Sequence, residues 1–265
     1  MPRDPKARVV NVESWGDYYL FSLESPQVAR EAEPGQFIMV KVSDGDHPLL
    51  RRPISVHARR DGTLDIFFKI TGLGTQILAR KKPGDLLDIL GPLGKGFTIG
   101  EHLKGKTVYA VGGGRGIAPL YFLSQELSSL GARIRIFFGG KTLEDIPLKD
   151  KFAQDNLDVL YSTDDGSFGF KGFITELFAG ELGNESPTMI YACGPDPMMK
   201  AVADEAARRG IPAEFSLESV MGCGIGACWG CVKRIRRQGV DGWLKICEEG
   251  PVFPSEEIVW SEVEP

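Results

Sequence analysis

The stretch "TVYAVGGGRGIAPLYFLSQELSSLG", residues 107–131, decides the fold. A short apolar, β-prone run meets a cluster of glycines, and a run of helical length follows, with Pro119 tolerated in the helix's first turn. Strand, glycine turn, helix is the repeating unit of a parallel αβ sheet whose ligand crevice lies at the carboxyl ends of its strands. Downstream the pattern repeats through "RIRIFFGG" (133–140), "LDVLYS" (157–162), a helix near "GFITELFAG" (172–180), "TMIYACG" (188–194) and the helical run "DPMMKAVADEAARRG" (196–210). "IPAEFSLES" (211–219) completes the unit.

Upstream the texture differs. "YYLFSLES" (18–25), "QFIMVKV" (36–42), "RPISVHA" (52–58), "TLDIFFKI" (63–70) and "DLLDIL" (85–90) are β-rich segments separated by turn signals such as "EPG", "RDG" and "KPG". That spacing predicts a small antiparallel β-barrel, with one short helix after Gly74, through "TQILARK", capped by Thr75. The expected organisation is therefore a β-barrel over 1–101, an α/β parallel-sheet nucleotide-binding domain over 102–219, and a C-terminal segment over 220–265. This last piece is too short for a core of its own and holds four of the five cysteines. A metal site can supply the folding energy it lacks.

With 265 residues, 42% apolar and 25% charged, the composition is that of a soluble protein, and the formal net charge is −5. No basic face is evident, so a nucleic-acid partner is not expected. Neither a signal-peptide core nor 18 consecutive apolar residues occur, so no membrane insertion is expected and a cytoplasmic location is the simplest expectation. There thiols stay reduced, and clustered cysteines suggest metal before disulfide.

The cysteines stand as C-x4-C-x2-C-x15-C: Cys223, Cys228, Cys231 and Cys247. A gap of four followed by a gap of two is the plant-type [2Fe–2S] spacing; zinc is the alternative. Gly222, Gly224, Gly226, Ala227 and Gly230 let a loop turn sharply around an inorganic core and aim N–H groups at the sulfurs. Cys247 would return to the other three through a hairpin in "KRIRRQGVDGWLKIC". A one-electron centre implies a second redox group. In "LLRRPISVHA", Arg51 and Arg52 are either a solvated pair or, for Arg52, a pyrophosphate contact with Pro53, Ile54 and Ser55 along a flavin ring. "KITGLGT" (69–75) gives the second reading a partner, because glycines before a helix start let backbone N–H groups meet an anion. "VGGGRGIAPL" (111–120) and "YACGPDPMM" (191–199) end parallel strands where a dinucleotide would bind. Cys193 is either a buried small hydrophobe or a thiol beside a nicotinamide. Asp164 and Asp165 follow a strand with only Lys141 as a nearby cation, which favours NAD over NADP. The three histidines are scattered, so hydrolytic triads have little support, whereas hydride and electron transfer need no side-chain base.

In order of parts the chain resembles the ferredoxin–NADP reductase superfamily: "RRPIS" is similar to its R-x-Y-S flavin motif, with Ile54 where many members place Tyr, and "GGGRGIAP" and "CGPDPMM" are similar to its nicotinamide motifs. With the cluster segment, "STDDGSFGFKG" and the closing "GPVF", the resemblance narrows to the electron-transfer subunits of NAD-dependent dihydroorotate dehydrogenases. It implies FAD held by Arg52, Pro53, Ile54, Ser55, Lys69, Ile70, Thr71, Gly74 and Thr75. It implies NAD held by Gly113, Gly114, Gly116 and the Cys193-Gly194-Pro195 turn, with Cys193 as the one catalytic candidate beside the nicotinamide; Asp164 joins this set on the acidic balance read above. Arg115, often uncharged in relatives, either alters nicotinamide affinity or points to solvent. The implied partner is an FMN-containing catalytic subunit that oxidises dihydroorotate to orotate, two of each forming a heterotetramer. Subunits of NADH-dependent reduced ferredoxin:NADP oxidoreductase and of cytoplasmic sulfhydrogenases look similar, and a redox-sensing binding module is the non-enzymatic alternative.

Overall fold

The computed structural model describes residues 2–43, 45 and 47–260. They fall into two compact units. The first comprises the chain through Gly96 with Glu218–Lys233 and Trp243–Pro251; the second comprises Phe97–Leu217, Arg234–Gly242 and the chain from Val252 on.

The first unit is built on a closed antiparallel barrel of six strands, in the order β1 (Arg3–Trp15), β2 (Tyr18–Glu24), β5 (Thr63–Lys69), β4 (Arg52–Arg60), β3 (Phe37–Lys41) and β6 (Leu86–Leu93). Two short helices, α1 (Pro26–Glu31) and α2 (Leu73–Leu78), interrupt the strands. Closure comes from β1, which pairs with β2 along one edge and β6 along the other, so neither edge is left open. The interior is filled by Phe21, Leu23, Ile38, Val40, Val56, Leu64, Ile66 and Ile89, all fully buried. The sequence reading missed β1: its alternating charges and Pro5 hide a strand whose inward residues are only Ala7 and Val9.

A seven-stranded sheet forms the second unit. Its order is β10 (Phe170–Lys171), β9 (Asp158–Thr163), β8 (Arg133–Gly140), β7 (Thr107–Gly113), β11 (Met189–Cys193), β12 (Ala213–Ser216) and β15 (Val252–Pro254). The strands β7–β12 are parallel, as expected, and β15 adds an antiparallel edge. Helices α3 (Ile117–Leu130), α4 (Lys149–Gln154), α5 (Ile174–Glu181) and α6 (Asp196–Arg209) form the crossovers. Because helices cover both faces, Val108–Val111 are buried without alternation. The chain winds outward from β7 through β8 to β9, then returns to β11 on the other side of β7. That reversal is the switch point where open αβ sheets bind ligands.

The cysteine-bearing segment forms a hairpin, β13 (Val232–Arg237) and β14 (Val240–Lys245), followed by one helical turn, α7 (Ile246–Glu249). Its two-residue turn, Gln238-Gly239, has both residues at positive φ, 51° and 80°, the handedness that matches strand twist. Among the described residues no helix is long and apolar enough to cross a membrane.

Candidate functional site

Cys223, Cys228 and Cys231 lie in the turn region before β13, and the hairpin returns Cys247 to them in α7. Cys231 and Cys247 are 1% and 3% exposed, and their Sγ atoms are 3.3 Å apart. Two thiolates on one tetrahedral metal at ~2.3 Å would sit roughly 3.8 Å apart, so this pair needs little adjustment to share an iron. Cys228 in turn hydrogen-bonds Cys223 through its backbone N–H, at 3.4 Å to Sγ, and through its thiol. Among the described residues no three His, Cys, Asp or Glu side chains gather as a single ion would require. The thiols come as two pairs, Cys223 with Cys228 and Cys231 with Cys247, a donor set that fits a binuclear centre.

The backbone is arranged for anionic sulfur. Burial works to raise the Cys223 thiol, but the N–H groups of Ile225, Cys228 and Ala227 outweigh it and bring its pKa down to about 7. Cys247 is pushed up to about 12, first by burial and then by the Cys231 thiol beside it, although Gly226 donates its N–H to Cys247 Sγ at 3.2 Å. Two buried thiolates in contact repel, so the pair is stable as thiolates only with a cation between them. These features fit an iron–sulfur group. Gly226 stands at φ +77°, which favours glycine, and a Cβ there would displace the Glu248 carboxylate, whose Oε2 would lie 2.7 Å away.

At the barrel's flavin-motif strand the two adjacent arginines part. Arg51 turns to Asp88, with Nη1 donating to the Asp88 carbonyl at 2.7 Å and Nη2 to its carboxylate at 2.8 Å. Arg52, on the other face, donates to the Leu50 carbonyl and lies directly against Gly74, where a Cβ would fall 2.1 Å from its Nε. Among the described residues it meets no carboxylate. Gly74 stands in the first turn of α2, so a guanidinium and free helix N–H groups share one cradle that only a glycine leaves open. The β4–β5 ladder begins at Val56 opposite Ile66, so residues 52–55 lie beyond its last registered pair. Ile54 is buried at 6% exposure; Pro53 and Ser55 keep side-chain surface. Lys69 ends β5 with its ammonium 4.7 Å from the Tyr18 ring, and Ile70 and Thr71 lead into α2. One expectation is corrected: α2 starts at Leu73, not after Gly74. Thr75 sits inside its first turn, accepting from the N–H groups of Thr71 at 2.9 Å and Gly72 at 3.2 Å. A hydroxyl bonding backward takes the N–H groups ahead of the helix and leaves those of its first turn open, and because Thr suits both this position and the cap, the sequence alone does not separate the two.

In the second unit the two glycine turns predicted for the dinucleotide interlock at the switch point. β7 and β11 are adjacent, with Cys193 opposite Gly112. A Cβ on Gly116 would strike the Cys193 carbonyl oxygen at 2.3 Å, and one on Gly113 would meet Pro195 Cδ at 2.7 Å. Gly113, Gly114, Gly116, Cys193, Gly194 and Pro195 are thus brought together. Cys193 is 2% exposed, and Arg115 faces solvent. Asp164 is exposed at the same carboxyl edge but follows β9, two strands from β7, about 10 Å along the sheet. Asp165 is held below its ordinary pKa by Ser167, whose hydroxyl and N–H donate to it.

Residues 11–98 match an oxidoreductase FAD-binding domain, 110–204 an oxidoreductase NAD-binding domain, and 218–259 the iron–sulfur cluster binding domain of dihydroorotate dehydrogenase B. The chain is 41% identical over 259 residues to the dihydroorotate dehydrogenase B (NAD(+)) electron transfer subunit of Desulforamulus reducens, covering 97% of this chain and 98% of that one. It is 40% identical over 244 residues to the same subunit of Bacillus mycoides, covering 91% and 92%. A chain from the structure of an NADH-dependent reduced ferredoxin–NADP oxidoreductase superimposes with a TM-score of 0.84 at 31% identity, covering 98% of this chain and 92% of that one.

Proposed function

Since the chain belongs to the family of dihydroorotate dehydrogenase B (NAD(+)) electron transfer subunits, we propose that its three cofactors are held by the residues described above and that it works beside an FMN-containing catalytic subunit. The chain is the electron-transfer part of an NAD-linked oxidoreductase of pyrimidine biosynthesis, linking FMN, [2Fe–2S] and FAD to NAD+. When bound, the cluster supplies one-electron exchange and the flavin couples it to the two-electron hydride chemistry of the nicotinamide.

The observation that carries the assignment of residues is the pairing of Cys231 with Cys247 at 3.3 Å inside a loop whose N–H groups face sulfur. Cys223, Cys228, Cys231 and Cys247 ligate the cluster. Arg52 neutralises the FAD pyrophosphate together with the N-terminal turn of α2. Pro53, Ile54, Ser55, Lys69, Ile70, Thr71, Gly74 and Thr75 complete that site. Gly113, Gly114, Gly116 and the Cys193-Gly194-Pro195 turn seat NAD, and Asp164 faces its ribose hydroxyls. With Cys193 buried, its contribution at the nicotinamide is to shape the turn through its backbone. The cluster-binding segment is read as 220–265, the barrel as 1–101 and the NAD domain as 102–219. The complex is a cytoplasmic heterotetramer with two catalytic subunits. Dihydroorotate needs no pocket on this chain.

The test mixes the cofactor-replete chain with an FMN-containing dihydroorotate dehydrogenase and follows NADH formation from dihydroorotate and NAD+. NADH should form only when both subunits are present. Similarity to the ferredoxin-linked oxidoreductase supports a second reading; turnover with reduced ferredoxin, and none with dihydroorotate, would favour it.

A further inference from the structure

Lys245 is absorbed by no part of the relay described so far, yet it stands at the point where the cluster loop meets the helical turn that carries Cys247. It is the last residue of β14, immediately before α7. Its side chain is 21% exposed, and its ammonium makes three contacts. Nζ donates to the Gly226 carbonyl at 2.6 Å, pairs with Glu248 Oε2 at 2.8 Å, and lies 5.1 Å from the centre of the Trp229 ring. Gly226, Trp229 and Glu248 are the residues that flank the thiols: Gly226 lies between Cys223 and Cys228, Trp229 follows Cys228, and Glu248 follows Cys247.

The contact to Gly226 has a consequence at sulfur. Gly226 is gripped on its carbonyl side by Lys245, while its N–H donates to Cys247 Sγ at 3.2 Å. The Glu248 carboxylate occupies the space where a side chain at 226 would lie. Lys245 and Glu248 therefore hold a glycine that has no side chain of its own to fix it, and they hold it with its donor on a ligand sulfur. Hydrogen bonds to cluster sulfurs and nearby positive charge stabilise the more negative, reduced state and raise the reduction potential.

We propose that Lys245 is a positioning residue for the [2Fe–2S] centre: by anchoring Gly226 with its N–H on Cys247 Sγ, and by its own charge, it holds the cluster's reduction potential up. The inference rests on the reading of the four cysteines as cluster ligands. Glu248 offsets part of the ammonium's charge, and the grip on Gly226 is the part of the effect that charge compensation leaves intact. The cation over Trp229 also fixes an indole that is otherwise 66% exposed beside Cys228.

The experiment is an anaerobic redox titration of the full chain followed by EPR, with iron and sulfide counted for each variant. Lys245→Met, which keeps the stem and removes the donor and charge, should shift the oxidised-to-reduced ratio at fixed potential at least tenfold toward oxidised, a drop of about 59 mV for a one-electron couple. Lys245→Arg restores charge and donors and should return the ratio to within threefold of wild type. Should Lys245→Met lose iron, Lys245→Gln is titrated in its place, with a shift of threefold or more in the same direction expected. An unchanged midpoint in an iron-replete Met or Gln variant overturns the inference while leaving the cluster assignment intact. A wild-type chain with no [2Fe–2S] signal after reconstitution overturns the cluster assignment and this inference with it.

Discussion

Two glycine-rich turns in this protein look alike as text and are held by opposite means. In residues 112–116, "GGGRG", the glycines allow one backbone to press against another: Gly116 closes on the Cys193 carbonyl inside a sheet whose neighbours Val111, Ile117 and Ala192 are fully buried. In residues 222–231, "GCGIGACWGC", the glycines instead free the chain to aim N–H groups at sulfur, while Ile225 and Trp229 stay 44% and 66% exposed. Packing holds the first turn whether or not a nucleotide is present. The second has thiols in contact and little apolar burial, so a ligand must complete it.

The largest expected effect tests that contrast. Cys228→Ser should abolish the cluster, and because structural metal sites contribute on the order of 10 kcal/mol, hydrogen exchange should rise sharply in 222–231 and 245–249 while β7–β12 keep their protection. Equal loosening of both turns would erase the distinction. Gly116→Ala attacks the other side. With a backbone oxygen 2.3 Å from the new Cβ, it should cost about 2–4 kcal/mol in denaturant unfolding and weaken NAD binding, with iron content unaffected.

Two smaller effects sharpen the role of the barrel's arginines. Arg52→Ala removes a charge-assisted contact worth about 1.5–3 kcal/mol, so FAD affinity should fall roughly 10–150-fold, read as flavin retained after dialysis. Arg51 acts on stability instead. Burial alone would raise the Asp88 carboxyl, but hydrogen bonds from Arg3 and Arg51 bring its pKa down to about 2. A folded-state pKa below the unfolded one stabilises fully above about pH 4, and that contribution disappears as pH falls through about 2. Allowing for the solvent around Arg3, Asp88→Asn should lower stability by about 1–2 kcal/mol at neutral pH, and the difference should vanish near the folded pKa.

How much of this was legible in the sequence differs in the same way between regions. The alternation of strand and helix from Thr107 on announces a parallel sheet, and the cysteine spacing announces a cluster, because both are local patterns. The different tasks of Arg51 and Arg52 depend on Asp88, two strands away, and on Gly74, whose importance lies in what sits against it. β15 is three residues long, too short for a periodic signal, so nothing announced that part of the cysteine-bearing segment completes the second sheet. Lys245 reads as one more surface lysine until the hairpin brings it back to Gly226.

The central claim is that one chain passes electrons between a nicotinamide and the cluster at Cys223, Cys228, Cys231 and Cys247. Anaerobic titration of the purified, cofactor-replete protein with NADH, followed by EPR, tests it without any partner subunit. The [2Fe–2S] signal should grow with each addition of NADH and should be absent from Cys228→Ser. A flavin that bleaches with NADH while the cluster stays oxidised, in protein whose cluster dithionite reduces, would contradict it.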